Sequence, residues 1–309
     1  MLLATILSVA IGSSFAGNFN NDVVVAFGDA RAKIQDNGNL MSLALDNSSG
    51  SGFESKNEFI YAKVEMNIKL VPGNSAGTVT SFYDTLLIFN LRSIVLVFHV
   101  INDLFLYCEF HFGEQLKSEG NSWDEVDMEF LGNTSGDPYV LHTNIFTKGM
   151  GNREQQFYLW FDPTTDFHTY SITWNPAHIV LVVDKKPIRE YRNVDPNNNV
   201  PYPRDQPMKL YGSLWNADDW ATRGGSVKTD WSKAPFTASF NNYTADGCVY
   251  ANGASSCPDK TAPWYSSELI DGDDLKQMQW VQKNYMIYNY CDDSNRFHGS
   301  LPAECGRKN

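Results

Sequence analysis

Hydrophobic and polar residues alternate in short runs along most of the chain, and turn-forming residues separate the runs. Asp36-Asn37-Gly38-Asn39 is a hairpin signal and Asn47 to Gly52 a loop, because Asn, Asp and Gly tolerate the positive φ of tight turns. Phe59 to Leu70 alternates over a long strand, Pro72-Gly73-Asn74 turns the chain, and Gly77 to Tyr83 continues as another strand. Farther on, Phe157 to Pro163, Tyr170 to Asn175 and Ile179 to Asp184 predict further strands. A helix is expected only from Ser266 through Gln282, with Ser267 capping near Glu268 and Asp271–Asp274. Regular strands and turns without helical periodicity predict an all-β sandwich.

One stretch carries chemistry as well as pattern: Trp123-Asp124-Glu125-Val126-Asp127-Met128-Glu129-Phe130-Leu131-Gly132. At the two-residue period of a strand, Val126, Met128 and Phe130 fall on one face and Glu125, Asp127 and Glu129 on the other. The apolar face can seal a core while three carboxylates project from the opposite side. Positions i and i+4 lie about 13 Å apart at Cα, from about 3.3 Å of rise per residue. Side chains leaning towards each other on a curved strand close that gap to roughly 5–6 Å, near the separation used by retaining glycosidases. Two carboxylates about 6 Å apart at an effective dielectric of about 20 repel by roughly 3 kcal/mol, or about two pK units. One of the pair therefore keeps its proton near neutral pH, as a general acid must. The same alternation also fits a solvated edge-strand face. A calcium loop fits less well, because the glycine and terminal glutamate of an EF-hand are missing.

A second stretch, Leu214-Trp215-Asn216-Ala217-Asp218-Asp219-Trp220-Ala221-Thr222-Arg223-Gly224-Gly225, suits sugar recognition. Indole faces pack against C–H groups while polar side chains bind hydroxyls. A packed surface loop reads equally well from these residues alone.

Composition narrows the function. At 309 residues the chain can bury a sizeable core, and its length fits one all-β domain of about 250 residues as well as two smaller ones. Aromatic residues at 14% fill such a core or supply stacking platforms for sugar rings. The net charge of −12 argues against nucleic acid or an anionic membrane as partner and is compatible with a neutral polymer. Residues 1–16 read as a signal peptide: an apolar run from Leu2 to Ile11 leads to Ser14-Phe15-Ala16 before Gly17, although no Lys or Arg precedes it, and a buried N-terminal strand is the alternative. Three glycosylation triplets begin at Asn47, Asn133 and Asn242. Of five cysteines, four lie late, and their spacing favours the local pairs Cys248–Cys257 and Cys291–Cys305 over a zinc site, for which no CxxC pair is present. Cys108 is left over. No internal repeat, P-loop or dinucleotide fingerprint occurs.

Asp124-Glu125-Val126-Asp127-Met128-Glu129-Phe130-Leu131-Gly132 resembles the active-site strand of the plant xyloglucan endotransglucosylase/hydrolases of glycoside hydrolase family 16. Trp280 to Cys291 resembles the C-terminal extension of that subfamily, and the likeness covers nearly all of residues 17–309. It implies a β-jelly-roll of residues 17–240 with a concave substrate cleft, followed by a helix/strand extension, 241–309, with the two disulfides named above. It also implies that Glu125 is the nucleophile, Glu129 the general acid/base and Asp127 an assisting carboxylate. Substrate contacts are implied for Glu129, His142, Thr143, Asn144, Asn152, Arg153, Glu154, Asp219, Trp220, Gly224 and Arg296, and a glycan for Asn133. The family often has His where this chain has Trp123, Gln where it has His142, and Trp-Gly-Asp where it has Phe27-Gly28-Asp29. The expected activity is cleavage of the β-1,4-glucan backbone of xyloglucan with transfer to another xyloglucan chain or to water. The expected protein is a secreted, extracellular monomer of the cell wall and apoplast. Its partners are xyloglucan donor and acceptor chains, with no nucleic acid, membrane, metal or organic cofactor. A wall polysaccharide-binding protein without activity is the rival reading.

The rival rests on one segment. In the family, the strand ending at Tyr83 runs directly into sequence like Leu116-Lys117-Ser118-Glu119-Gly120, whereas here Asp84 to Gln115 intervenes. Its Leu, Ile, Val and Phe are interrupted by Asn90, Arg92, His99, Asn102, Asp103 and Glu109, so a membrane span is not expected. That composition is what a T-rich intron encodes when translated; an inserted loop is the alternative.

Overall fold

The computed structural model describes residues 17–85, 122–194, 200–257 and 259–306. The proposed signal peptide and almost all of the intervening segment, Cys108 included, lie outside them. Chain order begins with helix α1 (Phe19–Asp22), then strands β1 (Val23–Phe27), β2 (Ala32–Gln35), β3 (Leu40–Leu45), β4 (Ser51–Ser55), β5 (Glu58–Lys69) and β6 (Thr78–Thr85). Next come β7 (Glu125–Leu131), β8 (Val140–Phe146), β9 (Gln155–Tyr158), β10 (His168–Trp174), β11 (His178–Val183), β12 (Lys186–Arg192) and β13 (Lys209–Asn216). The last part holds β14 (Phe236–Ala251), β15 (Ala254–Ser256), α2 (Pro263–Ser266), α3 (Gly272–Tyr285) and β16 (Met286–Asn289).

Two antiparallel sheets stack face to face. One has the order β1-β4-β13-β6-β7-β8-β9-β16; the other runs β12-β11-β10-β5-β14-β3-β2, with β15 on β14. Alternation explains the layering, since the inward residues of β7 (Val126, Met128 and Phe130) and of β5 (Val64, Met66 and Ile68) are all fully buried. Phe130 meets Tyr170 of the opposite sheet edge to face, with ring centroids 4.6 Å apart. The Asp36–Gly38 turn joins β2 to β3 as the sequence predicts, with Asn37 at φ 51° and Gly38 at φ 92°.

Two boundaries differ from those read in the sequence. The single helix expected from Ser266 is two, α2 and α3, and residues between them are tied to the sandwich instead. Asn175 Nδ2 donates to the carbonyl and hydroxyl of Ser267, and the Ile270 amide donates to Glu190. The helix then persists to Tyr285, three residues beyond Gln282. β14 runs unbroken across residue 240, so the sandwich and the C-terminal extension share a strand.

Two disulfides close the extension, Cys248–Cys257 and Cys291–Cys305, as their spacing predicts. Among the described residues no helix is long and apolar enough to cross a membrane.

Candidate active site

β7 occupies the middle of its sheet, between β6 and β8. Its register places Glu125 opposite Thr85 and Phe146, Asp127 opposite Tyr83 and Asn144, and Glu129 opposite Ser81 and His142. Directly opposed residues share a face of the sheet. The carboxylates therefore stand on the outer face of the sheet with Tyr83, Asn144 and His142, while Val126, Met128 and Phe130 fill the core beneath.

Packing builds walls around them. Tyr83 stacks on Tyr211 of β13, with centroids 5.2 Å apart and planes 13° from parallel. On the other side Trp220 meets the His142 ring at 6.0 Å and Trp215 at 6.1 Å. Trp215 Nε1 donates to Ser81 on β6. Gly225, at φ 81°, lets the Trp220 loop fold back: a Cβ there would lie 2.1 Å from the Asp219 carbonyl oxygen. Asp219 and Gly224 stay exposed on that loop. Beyond Glu125, on the same face, Phe146 stacks on Trp123, whose carbonyl accepts from the Gly149 amide.

Crowding like charges in a sheltered place sets the protonation. Burial, then the neighbouring Glu125 charge, pushes the Glu129 carboxyl up to about 8. Asp127 is raised as well, by burial and by repulsion from Glu125 and Glu129, and it hydrogen-bonds to Glu125. A protonated Asp127 thus donates to Glu125. The buried Arg189 guanidinium acts in the opposite direction on Asp127. It crosses the sandwich from β12 to donate to the Thr143 carbonyl and hydroxyl and to the Arg153 carbonyl. Just ahead of the strand, burial raises Asp124 to about 6, and its carboxylate accepts from the Lys148 amide at 2.9 Å.

At one end of this face lies a polar cluster. Arg296 forks onto Glu154, at 2.6 and 2.9 Å, and reaches Asn152 Oδ1 at 2.8 Å and the Tyr288 hydroxyl at 3.0 Å. Gln156 Nε2 donates to His142 Nδ1 at 2.9 Å, which leaves the imidazole proton on Nε2. Burial depresses the His142 pKa to about 4; Glu154 opposes that shift, while Arg189 and Arg296 reinforce it.

Most of the residues implied by the motif meet on this face: Glu125, Asp127, Glu129, His142 and Asn144, with Trp220 above and Asn152, Glu154 and Arg296 at one end. Two side chains do not. Thr143 is one residue out of phase, so its hydroxyl faces the core and Arg189. Arg153 is 6% exposed and turns its guanidinium to the carbonyls of Ile145, Met150 and Gly151 and to Glu304. The sequence reading missed Tyr83, Tyr211, Gln156 and Tyr288. Tyr83 alone carries a local signal, its parity with Ser81 on β6; the others need the register between strands. Asn133 sits on the turn after β7, its Nδ2 donating to the Pro138 carbonyl, and Asn47 and Asn242 are exposed. Among the described residues no group of three or more His, Cys, Asp or Glu is placed to hold a metal ion.

Comparison with known proteins agrees with this geometry. The pattern described as Glycosyl hydrolases family 16 matches residues 19–87 and 112–233, passing over 88–111. The pattern described as Xyloglucan endo-transglycosylase (XET) C-terminus matches residues 259–305. The chain is 52% identical over 310 residues to xyloglucan endotransglucosylase/hydrolase protein 22 of Arabidopsis thaliana, covering 98% of this chain and 97% of that one. It is 50% identical over 293 residues to xyloglucan endotransglucosylase protein 7 of Diospyros kaki, covering 94% and 97%. Among solved structures, the Bacillus licheniformis beta-glucanase superposes with a TM-score of 0.50 at 23% identity, covering 78% of this chain and all of that one. The Crh5 transglycosylase gives 0.52 at 23%, covering 79% and 85%. These two structures share the jelly-roll fold.

Proposed function

The chain belongs to glycosyl hydrolase family 16, and from that premise we propose that it cleaves the β-1,4-glucan backbone of xyloglucan and passes the cleaved chain to another xyloglucan or to water. The observation that carries the mechanism is the register of β7, which sets Glu125, Asp127 and Glu129 on one face, where burial and the Glu125 charge raise the Glu129 carboxyl to about 8. Glu125 attacks the anomeric carbon while Glu129 protonates the departing glycosidic oxygen, giving a glycosyl ester on Glu125. Glu129, now a base, takes the proton of the incoming 4-hydroxyl or water, and that oxygen displaces the ester. Asp127 hydrogen-bonds Glu125 and orients it. Trp220, His142, Asn144, Asn152, Glu154 and Arg296 grip the glucan, aromatic faces on C–H groups and polar groups on hydroxyls. Thr143 and Arg153 serve from beneath by holding backbone in place.

The N-terminal pattern and the exposed sequons support export to the cell wall, with Asn133 glycosylated and the enzyme working as a monomer. The test is Glu125→Gln, assayed for transfer of xyloglucan onto a labelled oligosaccharide and for hydrolysis. Both should vanish with the fold intact. Near-normal transfer by this variant would overturn the role of Glu125.

A further inference from the structure

We infer that Glu304, in the C-terminal loop closed by Cys291–Cys305, is a positioning residue for the substrate-gripping end of the cleft, acting through Arg153; this rests on the xyloglucan reading above. Arg153 Nε donates to Glu304 Oε1 at 2.7 Å, and the two side chains are only 7% and 9% exposed. A buried ion pair gives little net stability over an apolar pair, so what it contributes is geometry. Here the geometry is specific. From its anchor on Glu304, Arg153 Nη1 donates to the carbonyls of Met150 at 2.7 Å, Ile145 at 3.2 Å and Gly151 at 3.3 Å. Those bonds gather the turn between β8 and β9, which ends in Asn152 at φ 62°. The Arg153 amide adds a bond to Asn144 Oδ1 at 3.0 Å, joining the turn to a residue opposite Asp127.

The same loop reaches the triplet from its other side. Arg296, inside the 291–305 ring, grips Asn152 and Glu154 on the cleft face, whereas Glu304 holds Arg153 from below. One disulfide-closed loop therefore holds three consecutive residues, Arg153 and Glu154 by ion pairs, one buried and one solvent-facing, and Asn152 by a hydrogen bond. The solvent-facing contact is exchangeable with substrate hydroxyls; the buried one is not. When a sugar displaces part of the Arg296 fork, Glu304 and Arg153 are what keep the turn in place.

The experiment compares wild type, Glu304→Gln and Glu304→Asp for xyloglucan turnover and for amide hydrogen exchange. Glu304→Gln should raise KM for xyloglucan about ten-fold with kcat within about two-fold, the size expected when a binding turn is misplaced without touching the reacting groups. Amides of residues 147–154 should exchange faster while those of β7 stay protected. Glu304→Asp, which keeps the charge, should recover most of the wild-type KM. Unchanged KM and exchange in Glu304→Gln overturn the proposal. So does faster exchange spread evenly over both sheets, which marks a merely stabilising role. Absence of turnover in the wild type would sink the xyloglucan reading instead, and the exchange measurement still decides the clamp.

Discussion

Burial and the Glu125 charge raise the pKa of the Glu129 carboxyl to about 8, so at neutral pH it keeps its proton. The alkaline limb of kcat/KM should therefore fall near pH 8, and Glu129→Gln should abolish that limb and slow cleavage about 10²–10⁴-fold, most with poor leaving groups. An alkaline limb retained in the variant would move the acid role elsewhere. Asp84 is the other residue with an informative proton. It lies on β6 between Leu210 and Val126, both fully buried; it is 3% exposed, and its Oδ2 has no hydrogen-bond partner among the described residues. Burial alone raises its pKa to about 7, against about 3.9 in an unfolded chain. The folded protein thus binds a proton that the unfolded chain has lost between about pH 4 and 7, so stability declines as pH rises through that window and stays low above it. Asp84→Leu should raise the melting temperature at pH 7.5, by an amount corresponding to a few kcal/mol, and flatten its pH dependence. A variant no more stable than wild type at pH 7.5 would show that the carboxyl is accommodated there.

The Asp84 position also bears on the pairing of β6 with β7. Joining Tyr83 to Leu116 places Leu116 in the Asp84 register, between Leu210 and Val126, where the core is aliphatic. The family pattern breaks over the same stretch, at 88–111. Deleting Asp84–Gln115 should therefore give a more soluble protein with higher transglucosylase activity, because a stretch of sequence rich in Leu, Ile, Val and Phe is removed along with the buried Asp84 carboxyl. Equal solubility and activity in the full-length chain would make the segment a genuine loop. At this scale the sequence was readable where alternation is strict. β5, β7 and the β2–β3 turn follow from period and turn residues alone. The split between α2 and α3 is not legible, since the residues between them are held by Glu190 of β12 and by Asn175 on the β10–β11 turn, both far off in the chain. Thr143 and Arg153 show the same limit at the site: a motif names residues by position, whereas strand parity and a distant Glu304 decide where the side chains turn.

Over the whole molecule, the net charge of −12 has no counterpart in a neutral glucan. The KM for xyloglucan should accordingly change less than about two-fold between 0.02 and 0.5 M salt, because screening has no substrate charge to act on. A strongly salt-dependent KM would point to a charged substrate. The architecture is consistent with a polymer that lies across a sheet: eight strands form the sheet that carries the carboxylates, β7 stands at its middle, and β16 from the extension adds its edge. Everything in this account converges on an ester at Glu125. The most direct measurement is to mix the enzyme with xyloglucan without added acceptor, quench in acid, digest, and locate the sugar by peptide mass spectrometry. The account predicts a xyloglucan fragment esterified to Glu125, absent in Glu125→Gln and discharged when an oligosaccharide acceptor is added before the quench. A fragment on any other residue, or turnover with no adduct and an inverted product anomer, would contradict it.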